Sequence, residues 1–400
     1  FSKDLPRLAN AIDAPVQAVV MKGRNNYICK SRLNWLISGA DKMLNGEEAI
    51  NLMPLMVWLE HTETGDMDEC PGFTNGFTFR LMALVQSEPG FCTSPICAKH
   101  GGCFFGPLRK MVYQTNLVVV NHALLISEAK ARSVADEGMG FLPEHKSVII
   151  DEAHNLPQAA YHQLTAILDQ RSLGYFLDRI DPDHSHSVRW NNQLKSLGGL
   201  HPQFEGHRRD LARSVTGCRE GLKAFFDQMV GNCLHKFDPD AKYSTKLIIK
   251  DLIEEFAPLQ SELEMMNRGF HSVRNQVRRL RESLLDIDET REDFIELHQL
   301  LDRGEGFITD ALMLIQMVTT NQQQDGVYWY EGNFKNFGGK TQLILTVNAA
   351  PIDLAEDLSK GLFKSLEHCI LTSATLRTDQ TFDYYLQRTG LNGVEFDDVK

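Results

Sequence analysis

Five apolar runs stand out along the chain: VQAVVM (16–21), LVVV (117–120), SVII (147–150), TQLILTV (341–347) and HCILTSATL (368–376). Each is short, rich in β-branched residues and bounded by polar ones. LVVV and SVII, the longest uninterrupted runs, read as strands buried in a parallel sheet. A helical spacing occupies DLPRLANAI (4–12), and residues 157–325 read as helices throughout. The clearest periodicity is Leu259, Leu263, Met266, Phe270, Val273, Val277, Leu280, Leu284, Ile287, alternating three and four apart. That spacing predicts one helix burying a core face, with Pro258 at its start and Gly269 as a weak point.

Between 29 and about 115 the pattern breaks down. The segment is rich in Gly, Pro and Cys, with two short helical stretches and few residues for a large apolar core, so something else is expected to hold it together. The order of elements is therefore α/β, small irregular insertion, α/β, helical insertion, α/β.

Length and charge narrow the function. Four hundred residues give room for two or three domains. The apolar and charged fractions, 42% and 24%, are those of an ordinary folded chain and exclude a disordered or fibrous one. No apolar run reaches membrane-spanning length, so no membrane partner is expected. A net charge of −12 excludes a basic nucleic-acid coat and confines any nucleic-acid contact to a local groove. The chain opens on Phe1 with no leader, which favours an internal piece of a cytoplasmic protein.

The run Val148-Ile149-Ile150 delivers Asp151-Glu152-Ala153-His154 at what would be the carboxyl edge of a parallel sheet, where ligands bind. Paired carboxylates there suit nucleoside-triphosphate hydrolysis, with Asp151 holding Mg²⁺ and Glu152 orienting or deprotonating the attacking water. His154 is placed to relay nucleotide state. Cys369-Ile370-Leu371 is a second such strand, followed by Thr372, Ser373, Ala374 and Thr375. Hydroxyls at Ser373 and Thr375 can hydrogen-bond the carboxylate loop of a neighbouring strand and couple to it.

Of eight cysteines, five lie between Cys29 and Cys103, which points to metal or cluster binding rather than disulfides. Cys92-x4-Cys97-x5-Cys103 is a compact three-thiolate set, and Cys29 and Cys70 compete for the fourth place. The wide gaps suit a four-iron cluster held by loops. Zinc, with His100 as a ligand, is the alternative. Cys70 sits in GDMDECPG, an acidic setting for an anionic cluster, whereas Lys22, Arg24 and Lys30 surround Cys29.

Taken in order, SKDLPRL (2–8), KGRNNYIC (22–29), TGDMDEC (64–70), the cysteine triplet, LVVVNHALL (117–125), VIIDEAHNLP (148–157) and LTSATL (371–376) resemble the DinG/XPD family of superfamily 2 iron–sulfur helicases, closest to its bacterial DinG/YoaA branch. The resemblance is weak across the helical insertion. It implies a RecA-like parallel-sheet motor domain in three pieces (1–28, 116–156, 326–400), interrupted by an iron–sulfur domain (29–115) and a helical Arch domain (157–325). It implies ATP, Mg²⁺ and a [4Fe-4S] cluster, with Cys29 completing the set Cys92, Cys97 and Cys103. It also implies 5′ to 3′ translocation on single-stranded DNA, forked DNA or R-loops as substrates in repair or replication, and a single-stranded-DNA-binding protein as partner. Some relatives carry an added exonuclease domain.

The sequence contains no G-x-x-x-x-G-K-[ST] loop: Gly339-Lys340-Thr341 is preceded by Phe334 where the pattern needs glycine. Nor does it continue into a second RecA-like domain, so the chain alone is expected to be inactive. Candidate DNA contacts are Lys22, Arg24 and Tyr27 before the first cluster ligand and Arg109 and Lys110 after the last. Asn121 and His122 are candidates beside the motor site, and Tyr328, Trp329 and Tyr330 offer rings that could stack bases but better suit a core. The competing readings are a redox cluster protein, which has no use for the carboxylate and hydroxyl loops, and a cluster-bearing nucleic-acid-binding module without motor activity.

Overall fold

The computed structural model describes residues 3–75, 78–88, 94–134, 140–184, 194–195, 197–199, 201–285, 292–319, 326–337, 339–378 and 381–392. Cys92, Ile287 and Gly338 lie outside the described residues.

Four short strands form two parallel pairs. Strand β1 (Ala18–Val20) lies beside β2 (Leu117–Val119), and β3 (Ser147–Ile150) lies beside β8 (His368–Leu371). In the second pair Ile150 is opposite Leu371, so the chain leaves both strands at the same level. Helices His122–Val134 and Leu156–Leu164 cover one face, burying Leu125, Ile126, Ala129, Ile150 and Leu156 with Leu354, Leu358 and Tyr385. The expectation that these strands are buried on both sides is corrected here. Ile149 and Ile370 are 67% and 54% exposed, because no described element covers their other face.

The segment after Cys29 is also better organised than expected. Helices Lys30–Ser38, Gly46–Leu59 and Phe79–Val85 enclose a core of Ile28, Leu33, Leu36, Leu52, Leu55, Met67, Phe73, Leu81, Leu84 and Val85. Asn45 starts the second helix through a reciprocal cap: Glu48 N–H donates to Asn45 Oδ1 (2.8 Å), and Asn45 N–H donates to Glu48 Oε2 (3.0 Å). The core of this segment is supplied two or three residues at a time by separate short helices, so no long periodic run marks it in the sequence.

The helical region follows its seam. Leu259, Leu263, Met266, Phe270, Val273, Val277, Leu280 and Leu284 are all buried, on and just before helix Gln260–Leu285. This helix packs on Gln203–Cys233 and Glu292–Thr319. Gly269 is a crossing point rather than a weakness: a Cβ there would sit 2.7 Å from Cys218 Cα. A four-stranded antiparallel sheet closes the bundle in the order β4 (Ala166–Leu168), β7 (Lys340–Pro351), β6 (Gly326–Phe337), β5 (Thr245–Ile249). Tyr328, Tyr330, Leu343, Leu345 and Val347 share the bundle's core. Residues on either side of 325 thus share one core, and the chain rejoins the parallel strands at β8. Tyr328 and Tyr330 are core residues, while Trp329 faces outward beneath the Lys246 ammonium (5.6 Å).

One buried ion cluster ties the small domain to the helical region. Glu88 accepts a fork from Arg179 (3.0 and 2.6 Å) and pairs with Arg32 (2.7 Å). Arg32 also donates to the carbonyls of Leu84 and Ala83. Burial alone would raise the Glu88 pKa, but the two guanidinium groups outweigh it and hold the carboxyl below its ordinary value.

Candidate active site

The paired ends of β3 and β8 bring two loops together. Thr372 N–H donates to Ile150 O and Ala153 N–H donates to Thr372 O, both at 2.9 Å, so the backbones lace across the gap. Asp151 Oδ1 accepts from Thr372 Oγ1 (2.6 Å) and from Glu152 N–H (3.0 Å). The Thr372 hydroxyl, then the Glu152 amide and the His122 ring, hold the Asp151 carboxyl below its usual range. His122 Nε2 lies 2.9 Å from the Asp151 carbonyl.

Glu152 takes a left-handed conformation (φ 46°, ψ 44°), which costs a side-chain-bearing residue on the order of 1–2 kcal/mol. The anchored neighbours Asp151 and Ala153 hold it there, with its carboxylate exposed. His154 Nδ1 sits 3.3 Å from Glu152 Oε2 and 2.8 Å from Ser373 Oγ, bridging the two loops. Ser373 Oγ in turn accepts from Thr375 N–H at 3.2 Å. Tyr385 O–H donates to the Ala153 carbonyl (3.0 Å), bracing the carboxylate loop from below.

All five residues expected at the catalytic centre thus fall in one place, though not all in the roles expected. Among the described residues, Thr375 contributes its backbone N–H to this network. Thr372, overlooked in the sequence, is the hydroxyl that touches a carboxylate. Its signal was available: it follows β8 as Asp151 follows β3.

The cysteines lie on facing segments. Cys29 precedes helix Lys30–Ser38, whose Lys30 ammonium donates to Gly101 O (3.0 Å) and covers the Phe104 ring (4.5 Å). In the same helix, Asn34 Nδ2 lies 3.4 Å from His100 Nδ1. The Cys97–Cys103 loop is thereby held against the turn bearing Cys29. Gly106 N–H donates to Cys103 Sγ (3.3 Å). Cys29, Cys97 and Cys103 are half-buried. Among the described residues no three metal-binding side chains are close enough to form a finished site. Cys70 is 5% exposed in the apolar core, where burial pushes its thiol up, a poor setting for a thiolate ligand.

Two of the expected DNA contacts have partners within the protein. Tyr27 is 3% exposed and packs on Phe105 (5.4 Å), so its ring cannot receive a base. Lys22 is committed to Asp66 (2.6 Å) and Asp68 (2.9 Å); partial burial would lower its pKa, but these carboxylates raise it. Arg24 lies over the Phe105 ring (4.6 Å), and Arg109 and Lys110 are exposed on the last turn of helix Phe105–Val112. Asn121 Oδ1 accepts from Leu124 N–H (2.8 Å), starting the helix that carries His122.

Comparison with known proteins follows the same lines. The DEAD_2 family model matches residues 85–173. The ATP-dependent DNA helicase YoaA of Haemophilus influenzae is 25% identical over 396 residues, covering 98% of this chain and 52% of that protein. The ATP-dependent DNA helicase YoaA of Escherichia coli is 23% identical, covering 99% of this chain and 53% of that protein. The 3'-5' exonuclease DinG of Bacillus subtilis is 22% identical, covering 98% and 41%. The chain spans about half the length of the curated YoaA relatives it matches. Its likeness to the DinG/YoaA branch of DNA helicases runs along nearly its whole length. Among the described residues, no helix is long and apolar enough to cross a membrane.

Proposed function

We propose that this chain carries the ATP-hydrolysing carboxylate centre and the cluster-bearing DNA module of an iron–sulfur helicase that moves 5′ to 3′ on single-stranded DNA. The observation that carries the reading is the pairing of Asp151 with Thr372 across β3 and β8. It makes the carboxylate loop and the hydroxyl loop one unit.

Asp151 keeps Oδ1 on Thr372 and Glu152, leaving Oδ2 for a magnesium ion through water. Bound magnesium and ATP would supply a polarised γ-phosphate at that edge. Glu152 is exposed and fixed in direction by its backbone, as a water-orienting carboxylate must be. His154 holds Glu152 on one side and Ser373 on the other, so movement of the hydroxyl loop reaches the water-orienting group.

Cys29, Cys97 and Cys103 are half-buried thiols on facing segments, and the family resemblance makes them cluster ligands together with Cys92. The N–H from Gly106 to Cys103 Sγ suits an anionic sulfur. Lys30 places a positive charge on the same loop. The cluster would fasten the small domain. Arg24, Arg109 and Lys110 would then line a single-strand path beside it, drawn from forked DNA or R-loops during repair, with a single-stranded-DNA-binding protein as partner.

The test is unwinding by the whole protein of duplexes bearing either a 5′ or a 3′ single-stranded tail. The reading requires ATP-dependent opening of the 5′-tailed duplex. Opening of only the 3′-tailed duplex reverses the direction, and DNA binding without any opening favours the non-motor module.

A further inference from the structure

Beside the carboxylate loop is a cavity of about 410 Å³ between helices Leu156–Leu164 and Asp383–Thr389. His154, Tyr161, Thr375, Tyr384, Tyr385 and Arg388 are among its walls. We infer that this cavity is a subsite for one nucleotide of the single strand, with the base against Tyr161 and Tyr384 and the phosphate on Arg388.

The chemistry of the walls selects that ligand. The Arg388 guanidinium lies 5.8 Å from the Tyr161 ring centre and, among the described residues, has no carboxylate partner. A guanidinium over a tyrosine ring and without a carboxylate partner among the described residues fits a group that is planar at one end and anionic at the other. Tyr384 is 61% exposed at the rim, so its ring is open to a base arriving from solvent. The walls include neither Asp151 nor Glu152, so a magnesium-bound triphosphate would not be held there by the carboxylates that serve it. A unit of a polymer meets no such requirement, and stacking on tyrosine tolerates any base.

The position gives the subsite a consequence. His154 and Thr375 belong to the two loops joined by the His154–Ser373 contact, and Tyr385 is tied to the Ala153 carbonyl. A nucleotide seated in the cavity touches both loops at once, so strand occupancy and the orientation of Glu152 become linked quantities.

The inference rests on the DNA reading above, and the test separates the two. Fluorescence anisotropy of a fluorescein-labelled oligo(dT) is followed on the chain and on its Tyr384→Ala and Arg388→Gln variants, with free ATP–Mg²⁺ as competitor. Tyr384→Ala should weaken binding roughly tenfold through lost stacking. Arg388→Gln should weaken it and lower the salt slope by about one, with the slope restored in Arg388→Lys. Circular dichroism melting of each variant shows that the fold is intact. Wild-type binding that neither variant alters overturns the subsite and leaves the DNA reading standing. No oligo(dT) binding by the wild-type chain overturns both. Competition by ATP–Mg²⁺ that Arg388→Gln abolishes makes the cavity a free-nucleotide site and overturns its assignment to the strand.

Discussion

Thr372 and Asp151, 221 positions apart in the chain, are joined by a 2.6 Å hydrogen bond from hydroxyl to carboxylate. The parallel register of two four-residue strands places them there. The bond fixes one carboxylate oxygen, and the proposed metal role falls to the other.

Thr372→Val keeps the shape of the side chain and removes the donor. Asp151 loses the largest cause of its lowered pKa. The sign follows from linkage: a carboxyl depressed in the folded protein is ionised above its ordinary value and stays so until the pH falls through the depressed value. In the whole protein the acid limb of the ATPase pH profile should therefore move to higher pH in Thr372→Val, with ATP binding retained near neutrality. An unmoved acid limb would detach Thr372 from the site.

Cys29→Ser and Cys70→Ser separate ligand from core. Cys29→Ser should lose iron and become protease-sensitive between residues 29 and 115. Cys70→Ser puts a hydroxyl in an apolar core without removing a ligand, so iron should stay near normal while stability falls by about 1–3 kcal/mol. Iron per protein and melting of the two variants, measured side by side, check this. A colourless wild-type protein with one zinc would establish the alternative metal.

Glu88→Ala leaves the buried Arg32 and the half-buried Arg179 without their shared carboxylate. Breaking a buried pair by removing one partner costs about 3–5 kcal/mol. The expected outcome is early cleavage between the small domain and the helical region in limited proteolysis, with the helical bundle persisting. Unchanged cleavage would show that the two are held together elsewhere.

The parts legible in the sequence were those coded by local periodicity. The seam from Leu259 to Leu284 is buried as its spacing requires, and the acidic and hydroxyl loops follow strands as their apolar runs imply. What escaped depends on pairing between distant segments. Thr372 meets Asp151 only through interstrand register. Tyr27 reads as a ring on a basic loop until Phe105 covers it, and Lys22 reads as a free cation until Asp66 and Asp68 are brought to it. The 326–351 hairpin has a strand pattern that does not say which sheet it joins. The core of residues 29–115 is harder to read because each short helix supplies only two or three buried residues, such as Leu33 and Leu36 or Leu52 and Leu55, too few to make a long periodic run.

Glu152 carries the central claim, and the most direct measurement is DNA-stimulated ATP hydrolysis by the whole protein and its Glu152→Gln variant. The account predicts that single-stranded DNA accelerates hydrolysis by the wild type. It further predicts that Glu152→Gln binds ATP and DNA but turns over slower by orders of magnitude. Hydrolysis by Glu152→Gln at the wild-type rate would contradict it.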